Sequence, residues 1–474
     1  MTRTHFLLLS AGALCLVALV AGNGRGFSTT PGGSTAAANA VLTSTMPSGQ
    51  RTAQQQASDG ALKLEARLSS DRVLSGSSTL FVETNVAALA SERPSVRLPV
   101  NLALALDRSG SMSGQKMEQA RRAALALVDA LKDGDRLAVV AFGSDVTVFP
   151  STRVDAFGRA QLKGFVEKIQ DQGSTNISGA LEAASDEVRK NREGYRVSRV
   201  ILLSDGQPTE GLTRAEDLRW LVESARTRDD VTTSAFGVGL DFNSRLMSEL
   251  ANAGAGHYAF IEDATAMASV FERDLATASN TVARRVELEL KAPSGVEVVE
   301  VPGYRVTRTA DGYKVSLYDF SGGQTAQAML RLQLSGMPTE GDVALGSLVL
   351  RYVGATDGVT REVPVKLSAV ATSSASEVQA HSDPQLITLS QRMEVSKQMA
   401  AAASAYESGN REQAYSIFDG IRRQFGMQAD ALAGDDLALT ERRMRTGDAE
   451  GARAAKSLTD KTMKNFGQNN TYTN

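Results

Sequence analysis

The sequence predicts a doubly wound α/β domain inserted into an antiparallel β-sandwich and followed by a helical C-terminal region. Three observations predict it. The nearly continuous apolar run Leu98 to Leu106 has the pattern of a strand covered on both faces. Beyond it, apolar strand segments alternate with helical ones as far as Ala278, as a mostly parallel sheet with helices on both faces requires. On either side of that stretch, apolar and polar residues alternate with the period of two of half-buried strands.

In chain order, Arg3 followed by the apolar stretch Phe6 to Ala21 and the small residues Ala21, Gly22 and Gly24 reads as an export signal. That stretch has about 16 residues, short of the roughly 20 that a spanning helix needs. Residues 1–22 are therefore expected to be a cleaved signal peptide, with an uncleaved anchor as the alternative. Leu14 before Cys15 is too large for a lipidation site. Residues 23–60, rich in Ser, Thr, Ala, Gly and Gln, read as a flexible tether.

Residues 61–97 carry two strand candidates. Leu62, Leu64, Ala66 and Leu68 share one face, with Lys63, Glu65 and Arg67 on the other, and Leu80 to Val86 is the expected neighbour. Residues 98–280 carry the α/β alternation. Strands are expected at 136–142, 146–149, 200–203, 232–238 and 257–260, and helices at 116–131, 159–169, 178–190, 215–226, 244–253 and 267–278. From 281 to 372, Val286, Leu288 and Leu290 alternate with Glu287, Glu289 and Lys291, and further short strands follow between turns such as Ser321-Gly322-Gly323. The two early strands share this style, so the α/β domain is expected to sit between the two pieces of one sandwich. Residues 383–468 read as helices, with Leu386, Leu389, Met393 and Met399 on one face.

Composition excludes several functions. The chain has 474 residues and a net charge of −3, and no basic run long enough to track nucleic-acid phosphates. Its one cysteine, Cys15, and three histidines rule out a disulfide framework, a thiolate cluster and a His-rich zinc site. No segment after the N-terminal one is long and apolar enough to cross a membrane, so membrane contact is expected only through residues 1–22 if they are retained.

The chemistry lies in three loops. Asp107-Arg108-Ser109-Gly110-Ser111 follows the first buried strand; Thr175 stands in Gln172-Gly173-Ser174-Thr175-Asn176 before a helix; Asp205 follows the strand that ends near Leu203. Open α/β sheets bind ligands outside the carboxyl ends of their strands. Two carboxylates and three hydroxyls form an all-oxygen set suited to a hard divalent cation, Mg²⁺ first, with Ca²⁺ and Mn²⁺ as alternatives. Against this stand plainer roles: helix caps for the first cluster and for Thr175, a turn for Asp205-Gly206. The coincidence of all three at equivalent positions favours the metal. Arg108 is expected to point to solvent, Asp145 to serve a turn, His257 to have no ligand role, and Trp220 to lie in the core.

The Asp-x-Ser-x-Ser motif, the Gly-Ser-Thr-Asn loop and the Leu-Ser-Asp-Gly segment resemble the von Willebrand factor type A family over about residues 98–278. The flanking strands are similar to those of exported bacterial members related to inter-alpha-trypsin-inhibitor heavy chains and calcium-activated chloride channel regulators. The resemblance implies a Rossmann-like fold and a metal-ion-dependent adhesion site made by Asp107, Ser109, Ser111, Thr175 and Asp205. In it the residues matching Ser109 and Ser111 ligate directly, those matching Asp107 and Asp205 act through water, and a partner's Asp or Glu completes the coordination. The expected function is thus metal-dependent protein binding outside the cytoplasm, in the periplasm, cell envelope or extracellular space. The alternatives are a metal-assisted hydrolase and a structural assembly subunit. Catalysis is not expected, because no His or Lys near the three loops offers a general base and no Walker or Gly-x-Ser-x-Gly frame is present.

Overall fold

A computed structural model describes residues 54–89, 97–434, 436–447, 449–468 and 470–472. The export segment and the tether up to residue 53 lie outside the described residues.

The α/β domain is built around one fully buried strand. β1 (Val100–Asp107) is buried at every position. It runs parallel to β2 (Arg136–Phe142) on one side and β4 (Val197–Ser204) on the other, pairing Leu104 with Val139 and with Ile201. β3 (Val146–Arg153) closes one edge antiparallel to β2, and β5 (Thr232–Val238) and β6 (Ala255–Ile261) extend the other in parallel. Successive side chains of a strand point to opposite faces, and β1 uses this unequally. Leu102, Leu104 and Leu106 pack with α1 (Gln115–Ala130) and α6 (Met267–Ser279), through residues such as Met117, Leu127 and Phe271. Ala103 and Ala105 face α3 (Ile177–Arg189), α4 (Ala215–Asp229) and α5 (Ser244–Ala253), through Ile177, Leu218 and Leu246. α2 (Ala156–Val166) packs against α1. The small face lets α3 approach closely. Its N-cap, Asn176, accepts from the Gly179 amide at 2.9 Å, which fixes where the loop before it ends.

The flanking segments form two further sheets. One has the order Gln54–Asp59, Leu62–Leu68, Gly76–Ala88, Thr325–Met337, Val296–Glu300. The other runs from Val306–Arg308 through Gly312–Ser316, Thr281–Lys291, Gly341–Gly354 and Thr360–Thr372 to Arg72–Leu74. Both contribute to one apolar cluster that includes Leu64, Val82, Leu332, Leu288, Leu350 and Val365. Val82 pairs with Leu330 and Val73 with Ala371, so chain from before the α/β domain is knitted to chain from after it. The Arg72–Leu74 pairing is parallel, a departure from the antiparallel pattern expected.

Residues 54–59, assigned by composition to the tether, are instead a strand antiparallel to Leu62–Leu68. A polar segment can join a sheet edge through its main-chain amides alone, provided a template lies beside it, and Gln54 to Asp59 supply little more than that. The C-terminal helices Pro384–Glu407, Arg411–Phe425 and Ala449–Asn465 have their own core around Met399, Phe418 and Leu458. They also reach the α/β domain. Lys456 donates to the Phe242 carbonyl at 2.7 Å, Met463 joins the cluster behind α5, and Thr471–Tyr472 adds a parallel strand beside β6.

Candidate metal centre

The site forms where β1 and β4 end. Asp107 is the last residue of β1 and is wholly buried. Its Oδ1 accepts from the Ser109 amide at 2.9 Å and its Oδ2 from the Ser204 hydroxyl at 2.5 Å. The chain then turns through the short helical segment Gly110–Met112, pinned by the buried side chain of Met112. The turn brings the hydroxyls of Ser109 and Ser111 to 3.0 Å from each other. Ser111 in turn donates to Asp205 Oδ1 at 2.7 Å. Asp107, Ser109, Ser111 and Asp205 thus form a continuous polar chain between two strand ends.

The third loop is held by main-chain bonds. The Gly110 amide donates to the Gly173 carbonyl at 3.0 Å, and the Gln172 amide to the Arg108 carbonyl at 2.6 Å. The Thr175 amide donates to the Thr209 hydroxyl oxygen at 2.9 Å, tying this loop to the one after Asp205. Gly206 stands among these hydroxyls. A Cβ on it would lie 3.3 Å from Thr175 Oγ1 and 3.7 Å from Ser111 Oγ. The five residues singled out in the sequence therefore converge, Thr175 reaching the others across the bare α-carbon of Gly206.

Electrostatically the centre is unbalanced. Burial pushes the Asp107 carboxyl up to about 6, against the hydrogen bonds of Ser204 and Ser109, and the neighbouring Asp205 adds to the rise. A carboxylate so placed is stabilised by a cation. The protein supplies one of its own: Lys116 Nζ lies 2.5 Å from Asp205 Oδ2. A lysine thus stands near the loops, where the sequence offered no His or Lys as a general base. Lys116 sits on the first turn of α1, too far along the sequence from Asp205 for any motif to join them. Paired as an ammonium, it is no general base. The oxygen donor set, the charge imbalance and this ammonium all fit a site for a hard cation. Among the described residues no group of three or more His, Cys, Asp and Glu side chains could hold a metal, so hydroxyls have to make up the set here.

Other expectations change. Arg108 is not in solvent: it is 6% exposed and its Nη2 donates to Asp145 at 2.7 Å, bracing the turn after β2 against the Asp107 loop. Trp220 is not core but 60% exposed on α4. His257 is buried beside Asp274 and Ser234, with its Nδ1 3.3 Å from Asp274 Oδ1. That trio resembles a hydrolase triad only by composition. The serine donates to the aspartate at 2.9 Å, and none of the three side chains meets solvent. Burial lowers the His257 pKa against the opposing pull of Asp274.

The sequence of the domain matches the family model of the von Willebrand factor type A domain over residues 101–273. Residues 101–273 form a von Willebrand factor type A domain. Such domains typically mediate metal-dependent protein interactions and are generally non-enzymatic. The chain is 29% identical over 286 residues to protein sll0103 of Synechocystis sp., an alignment covering 58% of this chain and 66% of that one. It is 30% identical over 243 residues to mouse inter-alpha-trypsin inhibitor heavy chain H3, covering 46% of this chain and 27% of the relative. The chain thus spans from about a quarter to just under two thirds of the length of these relatives. A solved von Willebrand factor type A protein from Catenulispora acidiphila superposes with a TM-score of 0.66 at 18% identity, over 86% of this chain and 97% of that one. That is a likeness of fold, and it extends beyond the type A domain.

Proposed function

We propose that this chain is a metal-dependent protein-binding module working outside the cytoplasm. Asp107, Ser109, Ser111, Thr175 and Asp205 hold a divalent cation, Mg²⁺ ahead of Ca²⁺ or Mn²⁺, and the cation accepts an Asp or Glu carboxylate from a partner protein. The observation that carries this reading is the hydrogen-bonded chain from Asp107 through Ser109 and Ser111 to Asp205, with the Thr175 hydroxyl beside it. Two carboxylates against a divalent cation leave a near-neutral centre. Mg²⁺ keeps exchangeable positions when it is held by few protein ligands, and one such position suits an incoming carboxylate.

No catalysis is assigned. The one lysine at the site is engaged by Asp205, and His257 is sealed in the sheet. Export rests on the N-terminal segment. Sequencing the N-terminus of the mature protein from an envelope fraction tests it; a protein recovered in the cytosol with residues 1–22 intact removes the claim.

The central test is titration of Mg²⁺ into the metal-free full chain and its Asp107→Ala variant by calorimetry, paired with capture of envelope proteins with and without chelator. Binding is expected for the wild type and not for the variant, with capture lost on chelation. Equal Mg²⁺ binding by both proteins, or capture indifferent to chelator and to the substitution, defeats the reading.

A further inference from the structure

Lys116 is the feature of the site that the metal reading does not use. Its ammonium contacts Asp205 Oδ2 at 2.5 Å and lies 3.4 Å from the Ser111 carbonyl. Asp205 is wholly buried, whereas the Lys116 side chain keeps 27% of its surface. A second carboxylate, Asp241, stands on the outer side, its Oδ2 3.8 Å from the same nitrogen and its side chain 80% exposed. The lysine stem passes over Gly239, where a Cβ would come within 3.2 Å of Cε and 3.3 Å of Nζ. Gly239 also has φ +73°, in the left-handed region, so it provides both the turn and the room for the stem.

We propose that Lys116 is a tethered counter-cation that holds Asp205 when no metal is bound and moves to Asp241 when a divalent cation enters. The inference rests on the metal-binding reading above. The argument is one of charge. A buried carboxylate needs a cation close by, and Lys116 meets that need without metal. A divalent cation engaging the same carboxylate repels the ammonium and must displace it, so part of its binding energy is spent on that displacement. A lysine suits the task. Its charge is compact and its four-carbon stem flexible, where the planar fork of an arginine would lock onto the carboxylate. Asp241 gives the displaced ammonium a partner whose Oδ2 already lies 3.8 Å from Nζ, at the solvent edge. Lys116 thereby sets how tightly the site takes metal: it is a positioning residue, not a ligand.

The test is calorimetric titration of Mg²⁺ into the metal-free full chain, wild type, Lys116→Met, Asp241→Asn and the double variant. Lys116→Met is expected to bind Mg²⁺ at least tenfold tighter, about 1.4 kcal/mol. Asp241→Asn is expected to bind several-fold weaker, and that weakening is expected to vanish in the Lys116→Met background, since only the pair couples. Thermal unfolding with and without Mg²⁺ checks the same ranking by a second method: the rise in Tm on adding Mg²⁺ should be larger for Lys116→Met than for wild type. Equal or weaker Mg²⁺ binding by Lys116→Met overturns the counter-cation role while leaving the metal site standing. An Asp241→Asn effect that is the same in both backgrounds overturns the transfer to Asp241. No Mg²⁺ binding by wild type or Lys116→Met overturns the metal site, and this inference with it.

Discussion

β4 carries a buried charged cluster near its start and another just past its end, and the two are balanced differently. Near the start, Arg199 donates to Asp274 at 2.8 Å, Ser234 adds a second bond to the same carboxylate, and His257 packs beside it, all nearly or wholly buried. Burial opposes ionisation of Asp274, yet Arg199, His257 and Ser234 together hold its carboxyl below the usual range. Just past the end, Asp107 has hydroxyl and amide partners and is pushed up to about 6, and the cation nearby is the partly exposed Lys116, paired with Asp205. The first cluster closes its charge with a rigid guanidinium and is structural. The second leaves its charge open at a loop edge, which is what a site for an exchangeable cation requires.

The largest effect that sharpens this contrast comes from breaking the closed cluster. Arg199→Met should cost about 3–5 kcal/mol, because it strands a buried carboxylate. Urea unfolding of the metal-free protein reads it, and a loss below about 1 kcal/mol would contradict the assignment of that pair as structural.

A third carboxyl, half-buried, offers a comparison without any guanidinium. Asp460 on the Ala449–Asn465 helix is pushed by burial up to about 7, opposed by Lys464, and it lies near Tyr258. Because its pKa is raised on folding, the folded state binds more protons, and stability contributed by this group falls as pH rises from about 4 to 7. Asp460→Asn should flatten that slope and stabilise the protein at pH 8 by on the order of 2–4 kcal/mol, read as unfolding midpoints across pH. Asp107 obeys the same sign over a narrower window, from its ordinary range up to about 6 in chelator.

Metal should reverse the imbalance at the open cluster. At Mg²⁺ a hundredfold above its dissociation constant, the wild type should gain about 2.7 kcal/mol and Asp107→Ala nothing, by unfolding with and without chelator. Gly206→Ala is a smaller break. Its Cβ would press on the Thr175 hydroxyl at 3.3 Å, so Mg²⁺ affinity should drop several-fold while stability falls by less than about 1 kcal/mol. The smallest effect belongs outside both clusters: Trp220→Ala, at an exposed position, should change stability by no more than about 0.5 kcal/mol.

Much of this was legible beforehand where the signal is local. The run Leu98 to Leu106 announces a strand covered on both faces, and Val100–Asp107 is that strand. The helix at Ser244–Ala253 and the strand at Thr232–Val238 match their periodicity to the residue. The first strands were harder. Gln54–Asp59 has no apolar face to betray it, since its pairing comes from main-chain amides meeting a neighbour. Trp220 was misplaced because helical periodicity tells which residues share a stripe, not whether a neighbour covers that stripe.

The site divides in the same way. The order of residues by itself picked out the five candidate oxygen donors, because each falls at a strand end or loop that local pattern marks, and the connectivity of an open sheet brings such ends together. Only the tertiary structure decided what balances their charge. Lys116 and Asp205 are 89 positions apart, Arg199 and Asp274 75 apart, and Arg108 and Asp145 37 apart. No short-range rule predicts those pairings, since a charged side chain chooses its partner by distance and desolvation once the backbone is in place.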